Sequence, residues 1–248
     1  MRTLLIFILL ISTLTVFGQT KFRYNDDFKK ILARTKDKND NLYFDSLLKR
    51  FAADDTTLTD FEVLSLLIGF TDKKEYKPYK DLFTERAIYT INDGGKYKEA
   101  LDSANKFLKT HPLSVKVLFE KAYSFHKLGR EDSASFYSYK GQRIFQAMYF
   151  SGNGKTTDTP TFALGPADGQ DYIIKFVEAS IGMMGSGQDK NGNFLDILEA
   201  KLDDEHTITL YFIIQHATDK MFSEDELKKM EDMSKERDKK DKKNKKDK

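Results

Sequence analysis

Apolar residues recur at helical spacing through the first half of the chain. Phe61, Leu64, Leu67 and Ile68 fall on one helical face. They follow Thr59-Asp60-Phe61-Glu62, which has the form of a capping box. In such a box the Thr hydroxyl accepts from an orphan amide and the Glu reaches back to the cap. Asp54-Asp55-Thr56-Thr57 reads as the turn before this helix, and Lys77-Pro78 breaks the pattern before the next.

Residues 95–149 carry the clearest signal. Gly95, Tyr97, Ala100, Phe107-Leu108 and Pro112 have the spacing of the second helix of a tetratricopeptide repeat. Leu118, Ala122, Phe125, Leu128, Gly129 and Ala134 continue it into a second unit. Gly95 and Gly129 are 34 residues apart, as are Ala100 and Ala134, which is the period of that repeat. Glycine makes the tight turn between paired helices, alanine lets them approach, and Pro112 separates one helix from the next. Two such units do not bury a core by themselves, since about three are needed. The helices before residue 80 are therefore expected to cap or extend the stack.

The pattern changes after Phe150. Residues 151–169 are rich in Gly, Pro, Asp and Thr and read as loop, with an edge strand expected over 161–164. Residues 172–177, 194–200 and 207–215 read as strands, the last with Ile208, Leu210, Phe212 and Ile214 on one face. Asn191-Gly192 is a strong hairpin turn because both residues tolerate positive φ. The expected class is α+β: a helical tetratricopeptide-like stack over 19–150, then a small antiparallel sheet over 151–222 packed on it. Ser223-Glu224-Asp225-Glu226 reads as the cap of a charged helix that runs into a lysine-rich tail to residue 248.

The chain ends point to export. Arg2 precedes an apolar stretch from Leu4 to Phe17 that is interrupted by Ser12 and Thr13. It is shorter than the roughly 20 residues of a spanning helix, so residues 1–18 read as a signal peptide cleaved before Gln19. The expected location is periplasmic or extracellular, without stable membrane insertion. There is no cysteine among the 248 residues, which excludes disulfide scaffolds, thiol catalysis and zinc–thiolate sites. Net charge is +2, but residues 235–248 hold nine basic and four acidic side chains. The positive excess is therefore terminal. Such a tail can touch anionic surfaces. It lacks interleaved aromatics to stack on bases, so nucleic acid is not an expected partner.

Motifs with chemistry are weak. Gly154-Lys155-Thr156 lacks the P-loop glycine, because Tyr149 stands where it is needed. Asp189-Lys190-Asn191-Gly192-Asn193 starts like a calcium loop, but Phe194 and Ala200 occupy the positions that require Gly and Glu. His111, His126, His206 and His216 have no metal-pair spacing. Neither catalytic residues, a metal site nor a cofactor is indicated.

Tetratricopeptide stacks bind peptides on the face lined by the first helix of each unit. By register that face includes Tyr89, Asn92, Tyr123, His126 and Lys127, whose aromatic, amide and cationic groups suit a peptide or carboxylate. The competing expectation is that the chain's own helices or sheet cover it. An alternative is a small-ligand or glycan site between helices and sheet, using aromatics near Tyr172 and Tyr211. An envelope hydrolase would need a cleft with a close acid–base pair of shifted pKa.

Gly18-Gln19, Asp55-Thr56-Thr57-Leu58-Thr59 followed by Gly69-Phe70, and Tyr76-Lys77-Pro78-Tyr79 together carry a family likeness. So do the Gly-rich turn at 152–156 and the Thr-Pro and Asp-Tyr pairs after it. On these residues the chain resembles a family of exported proteins, mainly from Bacteroidetes, catalogued as domain of unknown function 4919. The likeness covers roughly residues 20–218 and implies no activity and no catalytic residues. As the resemblance has it, many relatives carry Tyr-Tyr where this chain has Leu67-Ile68, and the lysine-rich tail is particular to this chain.

Overall fold

The computed structural model describes residues 22–222. The expected signal segment, the charged helix from residue 223 and the lysine-rich tail lie outside the described residues. Seven helices come first: α1 Tyr24–Lys36, α2 Phe44–Ala52, α3 Asp60–Phe70, α4 Pro78–Asp93, α5 Tyr97–Leu108, α6 Val115–Lys127 and α7 Glu131–Ser151. A mixed region follows: β1 Thr161–Phe162, α8 Asp168–Tyr172, a π-helical turn Ile173–Val177, β2 Ser180–Gln188, β3 Phe194–Lys201, β4 Thr207–Ile213 and α9 Gln215–Thr218. The class is α+β, as the sequence pattern predicts.

Helix α3 is the centre of the helical part. Every residue from Val63 to Phe70 is buried, so it has no solvent face, and α1, α2 and α7 pack around it. The capping box forms as read: Thr59 Oγ1 accepts from the Glu62 amide at 3.2 Å, and Glu62 Oε2 accepts from the Thr59 amide at 2.8 Å. Gly69 lets α1 and α2 close in. A Cβ there would lie 2.8 Å from the Phe44 ring and 3.1 Å from Thr35.

Helices α4–α5 and α6–α7 form two pairs whose turns are alike bond for bond. Gly95 and Gly129 have φ of 72° and 71°. The Lys96 amide donates to the Ile91 carbonyl at 3.1 Å, and 34 residues on Arg130 donates to Phe125 at 2.9 Å. Gly95 to Asn92 and Gly129 to His126 repeat in the same way, both at 2.9 Å. Helix α4 packs on α5 and α6, α5 on α6, α6 on α7, and α7 on α3. The amino-terminal helices thus close the α7 end of the stack. They extend it in space but out of sequence order.

The sheet departs from expectation in two ways. Its order is β1-β4-β3-β2, and β1 runs parallel to β4, so it is mixed and not purely antiparallel. The run over 172–177 is no strand: it continues α8 as the π-helical turn. The rings of Tyr172 and Phe176 there meet at 4.8 Å between centroids, tilted by 40°, and both pack on Phe145 of α7, a contact that helical spacing provides. β2 itself has no clear alternation to read, since Gly182, Gly185 and Gly187 interrupt it. The hairpin at Asn191-Gly192 forms between β2 and β3, with Gly192 at φ 83°.

One apolar cluster runs from Phe22 to Ala217 and joins both halves. Its polar centre is His216. The ring is buried, stacked on Phe162 at 4.4 Å and flanked by Phe28 at 5.6 Å and Tyr76 at 6.4 Å. Nε2 lies 2.9 Å from the Ala163 carbonyl, which can only accept, so this nitrogen carries the proton. Nδ1 is left to accept from the Tyr24 hydroxyl at 3.4 Å. Burial pushes the imidazole down to about 3, outweighing the Ala163 and Leu164 backbone groups that oppose it.

The unfolded chain takes up this proton near 6.5 and the native chain only near 3. The contribution of His216 is therefore full above pH 6.5 and lost as pH falls toward 3. His216→Phe should cost roughly 1–3 kcal/mol at pH 7, because Ala163 loses a buried donor. The gap to the parent should narrow by up to about 1.4 kcal/mol per pH unit on acidification below 6.5. Urea unfolding at a series of pH values measures this. A gap that stays constant with pH would show that the buried neutral ring is misassigned.

Candidate functional site

The five residues placed on the groove face by register divide. Tyr89 and Tyr123 are 50% and 43% exposed, and His126 and Lys127 are exposed beside them. Asn92 is a correction: it is buried between α4 and α6. Its Nδ2 donates to the Glu120 carbonyl and Oε2, both at 2.9 Å, and its Oδ1 accepts from Ser124 Oγ at 2.7 Å. An amide with all its bonds made inside is a clamp between helices, not a groove contact. His126 Nδ1 is 2.9 Å from Glu131, an exposed pair at the start of α7.

The two tyrosines are equivalent positions, 34 residues apart on α4 and α6. Each has an ammonium near its ring: Lys116 at 5.6 Å from Tyr89 and Lys127 at 5.5 Å from Tyr123. Tyr97 meets Tyr123 edge-on at 6.1 Å. The face is not wholly open. Lys116 also pairs with buried Asp171 of α8 at 3.3 Å, and Lys175 sits over Phe119 at 5.5 Å, so α8 and the π-helical turn cover the first half of α6. The second half of α6, with Tyr123 and Lys127, stays exposed.

A second site lies where α4 and the start of α6 meet the segment before α8. Tyr76, Asp81, Glu85, His111, Ser114 and Asp168 line it. The cleft leaves about 30 Å³ of free space, room for a water-sized group. His111 Nε2 faces Asp81 at 3.3 Å and the Glu75 carbonyl at 3.0 Å, and its ring stacks on Phe107 at 4.2 Å. Burial works against the imidazolium, but the Asp81 hydrogen bond and charge outweigh it and raise the pKa above its ordinary value. Ser114 caps α6: its Oγ accepts from the Val117 amide and donates to Glu85 at 2.6 Å. The hydroxyl is committed to Glu85 and not to His111, so these residues do not form a nucleophile–base pair.

Three acids at this seam share one cause of perturbation. Burial holds Glu85, Asp168 and Asp171 above the usual carboxylate range. The neighbouring Glu85 carboxyl adds to this at Asp168, while the Gly165 amide, 2.8 Å from Oδ2, opposes it. Lys116 and Lys175 partly counter the shift at Asp171. Asp196 on β3 is pushed up to about 6 by burial alone. Sequence reading missed this cleft. Asp81 and Glu85 sit one helical turn apart, which was legible, but Asp168 comes from a stretch read as loop. Among the described residues, no group of three or more His, Asp or Glu is arranged to hold a metal ion.

The remaining motifs have structural roles. Asp189 Oδ1 accepts from the Asn191 and Asn193 amides at 2.8 and 2.9 Å, and Oδ2 takes Asn193 Nδ2 at 2.7 Å. Its carboxylate closes the hairpin turn. Gly154, at φ 66°, is pinned to β4, where its carbonyl accepts from the Tyr211 amide at 2.8 Å. Tyr172 is buried in the aromatic core, so it is no ligand contact. No described helix is long and apolar enough to cross a membrane.

A family model described as "Domain of unknown function (DUF4919)" matches residues 29–223, which takes in the helical stack, the cleft and the sheet. The chain belongs to this family. No curated protein and no solved structure matches it. The family match thus spans every element that builds the DUF4919 cleft.

Asp168 gives a clean test of the seam. Its raised pKa means the native state holds a proton that the unfolded chain releases near 4, so its contribution is present at low pH and lost as pH rises. Asp168→Asn keeps an acceptor for the Gly165 amide and removes the titration. In thermal unfolding the variant should gain on the parent between pH 4 and 7. A gap that does not change with pH would refute the buried neutral carboxyl.

Proposed function

We propose that this DUF4919 chain is an exported, non-catalytic protein- or peptide-binding module of the bacterial cell envelope, built on two tetratricopeptide-type helix pairs. The observation that carries the reading is the repeated exposed tyrosine. Tyr89 and Tyr123 stay half exposed at equivalent positions of successive pairs, each beside a lysine. Tyrosine offers a large amphipathic surface with little side-chain entropy to lose, and the exposed Lys127 ammonium supplies attraction for a carboxylate, while Lys116 is held by Asp171. Such a ladder suits an acidic or carboxyl-ended peptide laid across α4 and α6. The apolar stretch from Leu4 to Phe17, read as a cleaved signal, supports the envelope as the place of action.

The alternative of a small-ligand or glycan site between helices and sheet has less support. The cleft beside His111 has about 30 Å³ of free space, too little for a sugar ring, and Tyr172 is core; the roomier hollow of about 300 Å³ between α1 and the hairpin turn is lined by a single tyrosine, Tyr24. The cleft does bring together a close His111–Asp81 pair, the feature an envelope hydrolase would need, but the Ser114 hydroxyl is tied to Glu85.

In-cell cross-linking of the tagged mature protein followed by mass spectrometry tests the proposal. A partner captured by the parent should still be captured after deletion of residues 235–248. It should be lost from the Tyr89→Ser, Tyr123→Ser double variant, whose stability should stay within about 1 kcal/mol of the parent. The same partner on the double variant would sink the reading. A partner lost with the tail alone would move recognition to charge attraction at the terminus.

A further inference from the structure

The two edges of the sheet are treated differently. β1 has only two residues and is sealed: the Ser151 hydroxyl accepts from the Phe162 amide at 2.7 Å, and α7 packs against the strand. β2 is the other edge. It is nine residues long, and among the described residues it pairs only with β3. Between Ser180 and Gln188 it carries no charge and no proline, the usual guards of a free edge. Met183 and Met184 are 72% and 60% exposed on it.

The register says which backbone groups are free. The Asp189 amide donates to the Asn193 carbonyl and its carbonyl accepts from the Gly192 amide, both at 3.0 Å, so both backbone groups of Asp189 face the returning strand. Alternation then makes Gly187–Leu195 and Gly185–Ile197 the bonded pairs inside the hairpin. The amides and carbonyls of Met184, Ser186 and Gln188 point outward. One device blunts the far end: the β2 bulge between Ile181 and Met184, where Glu199 Oε2 accepts from the Met183 amide at 3.0 Å. The flat, open run therefore starts at Met184.

We propose that β2 is a self-association edge, on which two copies of this chain pair antiparallel about a two-fold axis at Ser186. The three outward residues are symmetric about Ser186. A second copy therefore sets Met184 against Gln188 of the partner subunit and Ser186 against Ser186 of the partner subunit. The two strands then share about six main-chain hydrogen bonds. An uncharged strand meets itself without the repulsion that like charges opposite one another create. The same register brings Lys190 of the partner subunit across from Gly182, where the Glu199 carboxylate reaches over the edge; Lys190 pairs with Asp158 at 2.7 Å within its own copy but is 72% exposed, so its ammonium still faces the seam. This charge match favours a second copy over an arbitrary extended peptide. Pairing extends the sheet to eight strands and buries the exposed methionines beside the seam.

Sedimentation equilibrium of the mature chain, of Ser186→Lys, of Ser186→Glu and of their equimolar mixture tests this. Ser186 is exposed and its backbone groups are not used by β3, so both variants should keep the parent's circular dichroism. The parent should dimerise with concentration. Each variant should bind itself at least several-fold more weakly, because like charges then face each other on the axis, and the mixture should recover association. A parent that stays monomeric at every concentration would overturn the proposal. So would charged variants that dimerise as the parent does, or a mixture that fails to recover.

Discussion

His216 needs an acceptor for one ring nitrogen and a donor for the other, with no water to supply either. It takes them from segments far apart in sequence: the Ala163 carbonyl just after β1 and the Tyr24 hydroxyl on α1. Phe28, Tyr76 and Phe162 complete the walls. To satisfy this one imidazole α1, the loop before α4, β1 and α9 must all be in place. Tyr76 extends the knot, since its hydroxyl donates to the Leu164 carbonyl at 2.6 Å. The chain ends of the described region are thereby fastened to its middle. This is why helices and sheet share one core and do not behave as two neighbouring units.

The rest of the helical part is organised around α3, which is buried on every side. The repeat-like pairs cannot bury a core alone, and α3 supplies the missing surface on α7. Basic side chains fasten this junction. Lys140 on α7 donates to the Ala52 carbonyl at 2.9 Å, and Arg143 reaches the Leu58 carbonyl and Asp60. The opposite end, at α4 and α5, has only a small separate core around Ile88, Ala104, Phe107 and Val117. That end keeps Tyr89 and Phe83 exposed, at 50% and 75%. The large core lies around α3 and where α7 meets β1, and exposed aromatic surface lies where the stack ends.

Much of this was legible from residue spacing. The capping box at Thr59, the period between Gly95 and Gly129, and the hairpin at Asn191-Gly192 are local devices, and each formed as read. What failed was non-local. Tyr172-Ile173-Ile174-Lys175-Phe176-Val177 has the composition of a strand, but packing on Phe145 makes it helical. β2 lacked alternation because three glycines interrupt it and only its Ile181 end packs on the core. Asn92 and His126 stand at equivalent repeat positions, but only Asn92 has Glu120 and Ser124 to turn inward for. The acidic cleft needs Asp81, His111 and Asp168 from three segments, and no spacing rule joins them.

The central claim is that helices and sheet form one cooperative body fastened at His216. Native-state hydrogen exchange read amide by amide tests it most directly. The account predicts that Phe212 and Ile213 in β4 open with the same free energy as Leu66 and Leu67 in α3, through global unfolding. If the sheet amides exchange at a markedly lower free energy while α3 stays protected, the sheet is a separate unit and the account is wrong.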